Sequence, residues 1–399
     1  MTGFRSIVLL CGGLQEIEDG VGDHCRLLAG EFVRLGRECF LMSLNDRKVD
    51  SVVETSIASN GISIPLVRLP HAIPVFQRLK IAARFLSQWR PDIVSLQFVC
   101  YGFHEKGLAW REWFWLPALL APYRSTLMLH ELWLGFGSFR SIKYSIVGAV
   151  QRLVVLELVR RIRPAVIFTT NGYYRGILAK NKIAARILPL FGHIPVTSRS
   201  APWLAETIFR ECGIDILSER RDHWLFGLFG EVFEIWPAAE VIEKIAILSK
   251  KHGKRPLVIF VGRSQRAAAF VRRLKEQFRE IAFIALGSRT EVEISEFFNG
   301  VDFGLTSYPF EFLGKSGTVA AMVEHGLPVI CNWGDPSGET KWLHEEFRKL
   351  IIWARGADFE SRLTGVSAIR NRFADTLSRV VTMYIDDMDS MQRRISKPS

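Results

Sequence analysis

Short apolar runs alternate along the chain with longer stretches in which apolar positions recur every three or four residues. RSIVLLC (5–11) is the first run, a buried-strand pattern that ends in Gly12-Gly13. From Gly20 to Leu35 the apolar positions Val21, Leu27, Leu28, Phe32 and Leu35 predict a helix, and Gly36 stops it. ECFLMSL (38–44) predicts a strand, and 76–89 a helix broken at Arg90-Pro91. DIVSLQFV (92–99), STLMLHEL (125–132) and PAVIFTTN (164–171) predict three more strands. Strands separated by helices predict a parallel α/β sheet.

Residues 193–223 are polar and irregular in part, and predict an interdomain linker with one short helix. The alternation then restarts. Strands are predicted at 223–230, 256–262, 281–287, 303–308 and 328–332. Helices are predicted at 238–252, 265–278, 294–298 and 316–325, with 357–388 largely helical. The expectation is an α/β chain of two Rossmann-like domains facing a central cleft, where ligands meet the carboxyl ends of the strands. The expected bounds are 1–192, a linker 193–223, 224–356, and closing helices at 357–399.

A length of 399 residues fits two or three domains. Apolar residues at 48% and charged residues at 23% exclude wholesale disorder and fibrous classes. No stretch reaches about 18 uncharged apolar residues, so no transmembrane helix is expected; the nearest, Ile146–Val159, carries Gln151, Arg152 and Glu157. The run Ile7–Leu10 is too short for a signal peptide. Six cysteines without a CxxC or a His/Cys cluster argue against disulfides and zinc, and for a reducing cytosol.

Charge changes the picture more. The net +11 lies wholly in residues 1–200, which hold 25 Lys and Arg against 14 Asp and Glu. Residues 201–399 hold 27 of each. One lobe is therefore expected to meet something anionic: a membrane surface, a phosphorylated acceptor or nucleic acid. The plainer reading is a solvated basic surface. Nucleic acid is disfavoured, because the chain lacks an RNP-like aromatic motif and a basic tail.

The best chemical signal is FEFLGKSGTVAAMVEHGLPVI (310–330). A loop with Gly314 and Gly317 opens a helix at Ser316-Gly317-Thr318. First-turn N–H groups and the positive dipole end form an anion site. Lys315 adds a mobile charge, and the Ser316 and Thr318 hydroxyls add donors. Read more plainly, Ser316 is an N-cap and Lys315 is solvated. GxxxxGK[ST] is absent, so this is no Walker loop. In LHELW (129–133), His130 falls at a predicted strand end, where a histidine is otherwise often structural. In EDGVGDHCRLL (18–28) a Gly-rich loop leads into a helix without GxGxxG, and Asp23 is either a cap or a site carboxylate.

In this order the motifs resemble the GT-B nucleotide-sugar glycosyltransferases of the retaining family 4. The resemblance rests on GVGDHCRLLAGEFVRLGRECFLMSLND (20–46), VSLQFVCYGF (94–103), LHELW (129–133), TTNGYY (169–174), LPLFGHIP (188–195) and GKSGTVAAMVEHGLPVI (314–330). It implies a donor held mainly by the second domain, an acceptor held mainly by the first, and a terminal helix that returns to the first. Gly20-Val21-Gly22 match the loop beside the donor phosphates, His130 the histidine that meets the donor sugar, and Ser316-Gly317-Thr318 the helix start under the diphosphate. Asp23 and Glu131 stand beside His130 as catalytic candidates, and Gly230 joins the donor side. Gln97, Tyr101 and Asn171 are the acceptor-side candidates.

The chain also departs from the family. The usual Arg and Lys after the first strand of the second domain are replaced by Glu231 and the Trp236-Pro237 region, and a spaced pair of glutamates by Leu313 and Ala321. Glu311, Lys315 and Arg263 are the substitutes within reach. The resemblance implies no cofactor beyond the nucleotide sugar. With no Asp-x-Asp motif evident, metal-independent turnover is expected, the departing diphosphate being stabilised by the helix amides, Lys315 and Arg263. The expected partners are a nucleotide sugar and a glycan, lipid-linked or small-molecule acceptor. A sugar-nucleotide epimerase would use the same site without an acceptor, and a non-catalytic sugar-binding protein would keep only the binding. AWREWFWLPALL (109–120) and the basic helix pattern at 141–163 suit a bilayer headgroup region, giving an expectation of a cytoplasmic enzyme on the inner membrane face. Core tryptophans are the alternative there.

Overall fold

The computed structural model describes residues 3–15, 20–135, 142–336, 345–365 and 371–395. Glu18 and Asp19, which open one of the motifs above, and the side chain of Lys143 lie outside the described residues. The chain divides into two compact units, residues 1–189 with 377–399, and residues 190–376.

The first unit is built on eight strands: β1 (Ser6–Cys11), β2 (Glu38–Asp46), β3 (Val53–Ser59), β4 (Ile62–Pro70), β5 (Ile93–Phe98), β6 (Ser125–Leu129), β7 (Val166–Thr169) and β8 (Arg186–Ile187). Their order is β3-β4-β2-β1-β5-β6-β7-β8. All pairings are parallel except β3 with β4. That hairpin is absent from the expectation above. It turns at Asn60-Gly61, both at positive φ (49° and 79°), the geometry a two-residue hairpin turn requires. Every residue of β1, β5, β6 and β7 is buried, which explains why they read as continuous apolar runs.

The terminal helix, Thr376–Ile395, is part of this unit from Leu377 onward. Tyr384 fixes it: its ring lies edge-on to Phe32 (5.3 Å) and stacks on Phe168 (5.0 Å). Asp387 pairs with Arg186, and Asp389 with Arg37 at 3.2 Å.

The second unit holds six strands: β9 (His223–Phe229), β10 (Arg255–Val261), β11 (Ala282–Ala285), β12 (Phe303–Leu305), β13 (Val329–Cys331) and β14 (Ile351–Trp353). Their order is β11-β10-β9-β12-β13-β14, all parallel. β14 is absent from the expectation above. The helix Pro202–Cys212 packs Leu204 and Ile208 into the core of this unit. The helix read at 294–298 runs from Glu291 to Gly300, extended by a capping box between Thr290 and Glu293.

In both sheets the order reverses beside the first strand, between β1 and β5 and between β9 and β12. Such reversal points are where open α/β sheets bind ligands, outside the carboxyl ends of the strands. The chain thus carries two α/β Rossmann-like sheets, as expected.

Candidate functional site

In the second unit, β9 ends at Phe229 and the chain turns through Gly230 at φ 83°. A Cβ on Gly230 would stand 2.8 Å from Thr318 Cγ2, so the missing side chain lets the helix Gly317–Glu324 start against the end of β9. Ser316 is buried, extended (φ −95°, ψ 110°), and caps that helix, its Oγ accepting from the Val319 N–H at 3.3 Å. The Ser316 and Thr318 hydroxyls are 2.8 Å apart. The N–H groups of Gly317 and Thr318 then have no acceptor among the described residues. They lie at the sheet's reversal point, and first-turn N–H groups of this kind can hold an anion. Lys315 precedes it, half-buried, its Nζ 5.4 Å from the Phe312 ring centroid. Arg263 is exposed just beyond the end of β10.

Glu311 is buried, and its carboxylate accepts from the Asp335 N–H at 2.8 Å. It braces the loop after β13, where a Cβ on Gly334 would sit 2.3 Å from its Oε2. Leu313 and Ala321, where the resemblance led one to look for acids, belong to the core of the unit. Trp236 is buried too, donating from Nε1 to Asn332 Oδ1 at 2.6 Å. Apolar packing thus occupies positions that carry charge in the resembled family.

At the other end of the same helix, Glu324 is buried and accepts from the Gly192 N–H at 2.8 Å. Burial pushes its carboxyl up to about 8. This residue carries no expectation from sequence. A cavity of about 780 Å³ in this unit lies elsewhere, lined by Leu204, Ile208, Leu217 and Leu225 near the amino ends of β9 and β12.

In the first unit, His130 follows β6 directly and is buried, its N–H donating to Phe98 O at 3.2 Å. Its ring meets the ring of His24 edge-on at 4.8 Å. His24 lies on the helix Gly20–Arg34, which Gly20, Val21 and Gly22 open. That contact brings the Gly20–Asp23 turn beside His130. Asp23 stands 3.8 Å from Arg26 on the same helix, and Glu131 is half-buried next in the chain. Tyr101 is exposed on the short helix Cys100–Phe103 after β5.

The two other acceptor-side candidates face inward. Gln97 is buried, with its amide spent on Ser95 and His130, each at 2.9 Å. Asn171 is buried as the cap of Gly172–Lys180, accepting from the Tyr174 N–H at 2.8 Å. Neither amide is turned outward to a ligand. The sequence contains an Asp-x-Asp after all, Asp387-Met388-Asp389. It lies on the terminal helix, where Asp387 meets Arg186 and Asp389 meets Arg37.

No family model and no curated protein matches the chain. Solved structures do. The catalytic domain of starch synthase IV from Arabidopsis thaliana, bound to ADP and acarbose, is similar at TM-score 0.56 and 12% identity, covering 98% of this chain and 99% of that one. HepE from Anabaena in complex with UDP is similar at TM-score 0.54 and 10% identity, with 98% of each chain covered. A glycosyltransferase from Rickettsia africae is similar at TM-score 0.54 and 13% identity, covering 98% and 97%. These likenesses span nearly the whole chain, and the fold they share is that of the GT-B glycosyltransferases.

Proposed function

We propose that the protein is a glycosyltransferase that moves a sugar from a nucleotide-diphosphate donor to a glycan, lipid-linked or small-molecule acceptor, with retention. The observation that carries this reading is the anion-binding turn Ser316-Gly317-Thr318, seated against Gly230 at the sheet's reversal point. A diphosphate suits two amides, two hydroxyls and a neighbouring ammonium group. The similar structures that hold UDP or ADP support a nucleotide there.

Negative charge grows on the departing diphosphate as the anomeric bond breaks. The amides at 317–318, with Lys315 and Arg263, stabilise that charge, and the departing phosphate takes the acceptor's proton. Gly20, Gly22, Asp23, His130, Glu131 and Tyr101 of the first unit serve the sugar and the acceptor. Gln97 and Asn171 serve from behind, by holding His130 and a helix start. Glu311 shapes the donor loop.

The test is a thermal-shift screen against UDP-, GDP-, ADP- and dTDP-sugars. One of them should raise the melting temperature of the parent protein. Lys315→Ala should weaken that ligand by roughly 1.5–3 kcal/mol, the worth of a charge-assisted hydrogen bond. Unchanged affinity removes Lys315 from the site. Turnover should survive EDTA; loss that Mg²⁺ or Mn²⁺ restores would overturn metal-independent transfer. Conversion of the donor to an epimer without any acceptor would favour the epimerase reading instead. A second observation concerns the acceptor: Trp110 and Phe114 are exposed beside arginines in the first unit, which favours an acceptor carried on an anionic membrane.

A further inference from the structure

A second polar centre of the first unit lies at the carboxyl ends of β2 and β4, beside the short helix Cys100–Phe103. Asn45, in β2, organises it. Its Nδ2 donates to Gly102 O and Phe103 O, each at 3.1 Å. Its Oδ1 accepts from Arg78 Nη1 at 2.6 Å and faces His71 Nδ1 at 2.9 Å. Two carbonyls on Nδ2 fix the orientation of the amide, because a carbonyl only accepts. His71 Nδ1 therefore carries a hydrogen, and Nε2 of the neutral, exposed ring keeps its lone pair.

Arg78 stands on the helix Val75–Trp89 and is only 6% exposed. Both hydrogens of Nη1 are spent, on Asn45 and on Leu44 O at 2.7 Å. Among the described residues, Nε is shut off from solvent without a partner, and Nη2 has none either. The two acceptors that Arg78 does meet are neutral. Asp46, beside Asn45, is spent on Arg68 at 2.8 and 2.9 Å. Glu112 is buried on the helix Glu112–Leu120, which packs on that of Arg78, and burial pushes its carboxyl up. It is a weak counter-charge. A buried guanidinium is costly until a negative group meets it.

We propose that Arg78, with His71 beside it, forms an anion subsite in the first unit that takes a phosphate monoester. A planar carboxylate would want two neighbouring guanidinium nitrogens side by side. Here Nη1 is spent and Nε is sealed, which leaves Nη2 alone. A tetrahedral phosphate meets one nitrogen with one oxygen and turns another toward the imidazole. The use of this subsite to seat a phosphorylated acceptor rests on the proposed transferase; the binding itself does not.

His71 reports on the subsite. Desolvation and the charge of Arg78 hold it below its ordinary value of 6.5; Arg47 and His104 also lower it, and Glu105 raises it. The test is ¹⁵N NMR of histidine-labelled full-length protein, with the His71 signals assigned by their loss in His71→Ala. The parent should show the Nδ1–H form. Its titration should rise by half a unit or more, saturably, with glycerol 3-phosphate at constant ionic strength, and stay put with glycerol. Arg78→Lys keeps a cation but lacks Nη2, and should weaken the response at least fivefold. Dihexanoyl phosphatidic acid, a monoester of the same glycerol phosphate, separates the sources. A response to both probes assigns the subsite to the phosphate group itself, and one to the lipid alone to a lipid headgroup. No response to either in the folded parent overturns the proposal. So does a response that Lys315→Ala abolishes, which would place the phosphate at the donor turn. If His71 responds while no nucleotide sugar binds, the subsite stands and the transferase reading falls. If a nucleotide sugar binds while His71 stays silent, the transferase reading stands without the subsite.

Discussion

Glu324 is the residue whose chemistry most outruns its sequence context. An unfolded glutamate titrates near 4.5, and here burial holds the proton to about 8. Between those values the folded chain binds a proton that the unfolded chain releases. Stability from this group is therefore full below about pH 4.5 and declines as pH rises through 8. Glu324→Gln keeps an acceptor for the Gly192 N–H and removes the charge. Its melting temperature should fall less between pH 6 and 9 than the parent's, with an advantage at the alkaline end of about 1–4 kcal/mol. Parallel melting curves for the two proteins would show that Glu324 is ionised at little cost. Residues of this kind explain what the sequence did and did not disclose. His130, Ser316 and Lys315 were visible because each sits in a local string at a strand or helix end. The contact between the Thr126 and Tyr384 hydroxyls was not, because the two residues lie 258 positions apart and only the fold brings them within 2.7 Å.

Among the elements, the helix Gly317–Glu324 concentrates most of the argument. Its first turn faces the end of β9 through Gly230, and its last residue is Glu324. Gly230→Ala meets two penalties: a left-handed backbone, costing about 1–2 kcal/mol, and a Cβ 2.8 Å from Thr318 Cγ2. Thr318 must move, and the amide turn moves with it. Nucleotide affinity should fall at least tenfold by calorimetry while far-UV circular dichroism stays unchanged. Parent-like affinity in the variant would place the phosphates away from this turn. The strands and long helices were legible because buried parallel strands and amphipathic helices have distinct periods. The β3–β4 hairpin was overlooked although Asn60-Gly61 is a strong turn signal, since its edge strand is mostly exposed and lacks an apolar run. The inward turn of Gln97 and Asn171 was not legible, because a strand end specifies position and not which side chains find internal partners.

At the scale of the whole molecule, charge and apolar exposure coincide. The net +11 lies in residues 1–200, and the same stretch leaves large apolar side chains in solvent. Trp115 is buried, but Trp110 is 43% and Phe114 58% exposed. Arg111 lies over the Trp110 ring and Arg161 over the Phe114 ring, at 5.3 and 5.6 Å. The neighbouring helix Ile142–Ile162 exposes Ile142, Ile146 and Leu153, which helical spacing puts on one stripe, with Arg160 in line. Among the described residues no helix is long and apolar enough to cross a membrane. The stripe therefore suits lying in a headgroup layer, where each basic residue near an anionic surface contributes about 1 kcal/mol. Flotation with phosphatidylglycerol-containing vesicles tests this. The protein should rise with anionic vesicles at low salt, remain behind with pure phosphatidylcholine, and be released by high salt. Replacing Trp110 and Phe114 together by serine should weaken flotation and leave the melting temperature near the parent's, since both rings are already largely in water. A parent protein that stays at the bottom of the gradient at low salt has no such surface, and its acceptor must then be met in solution.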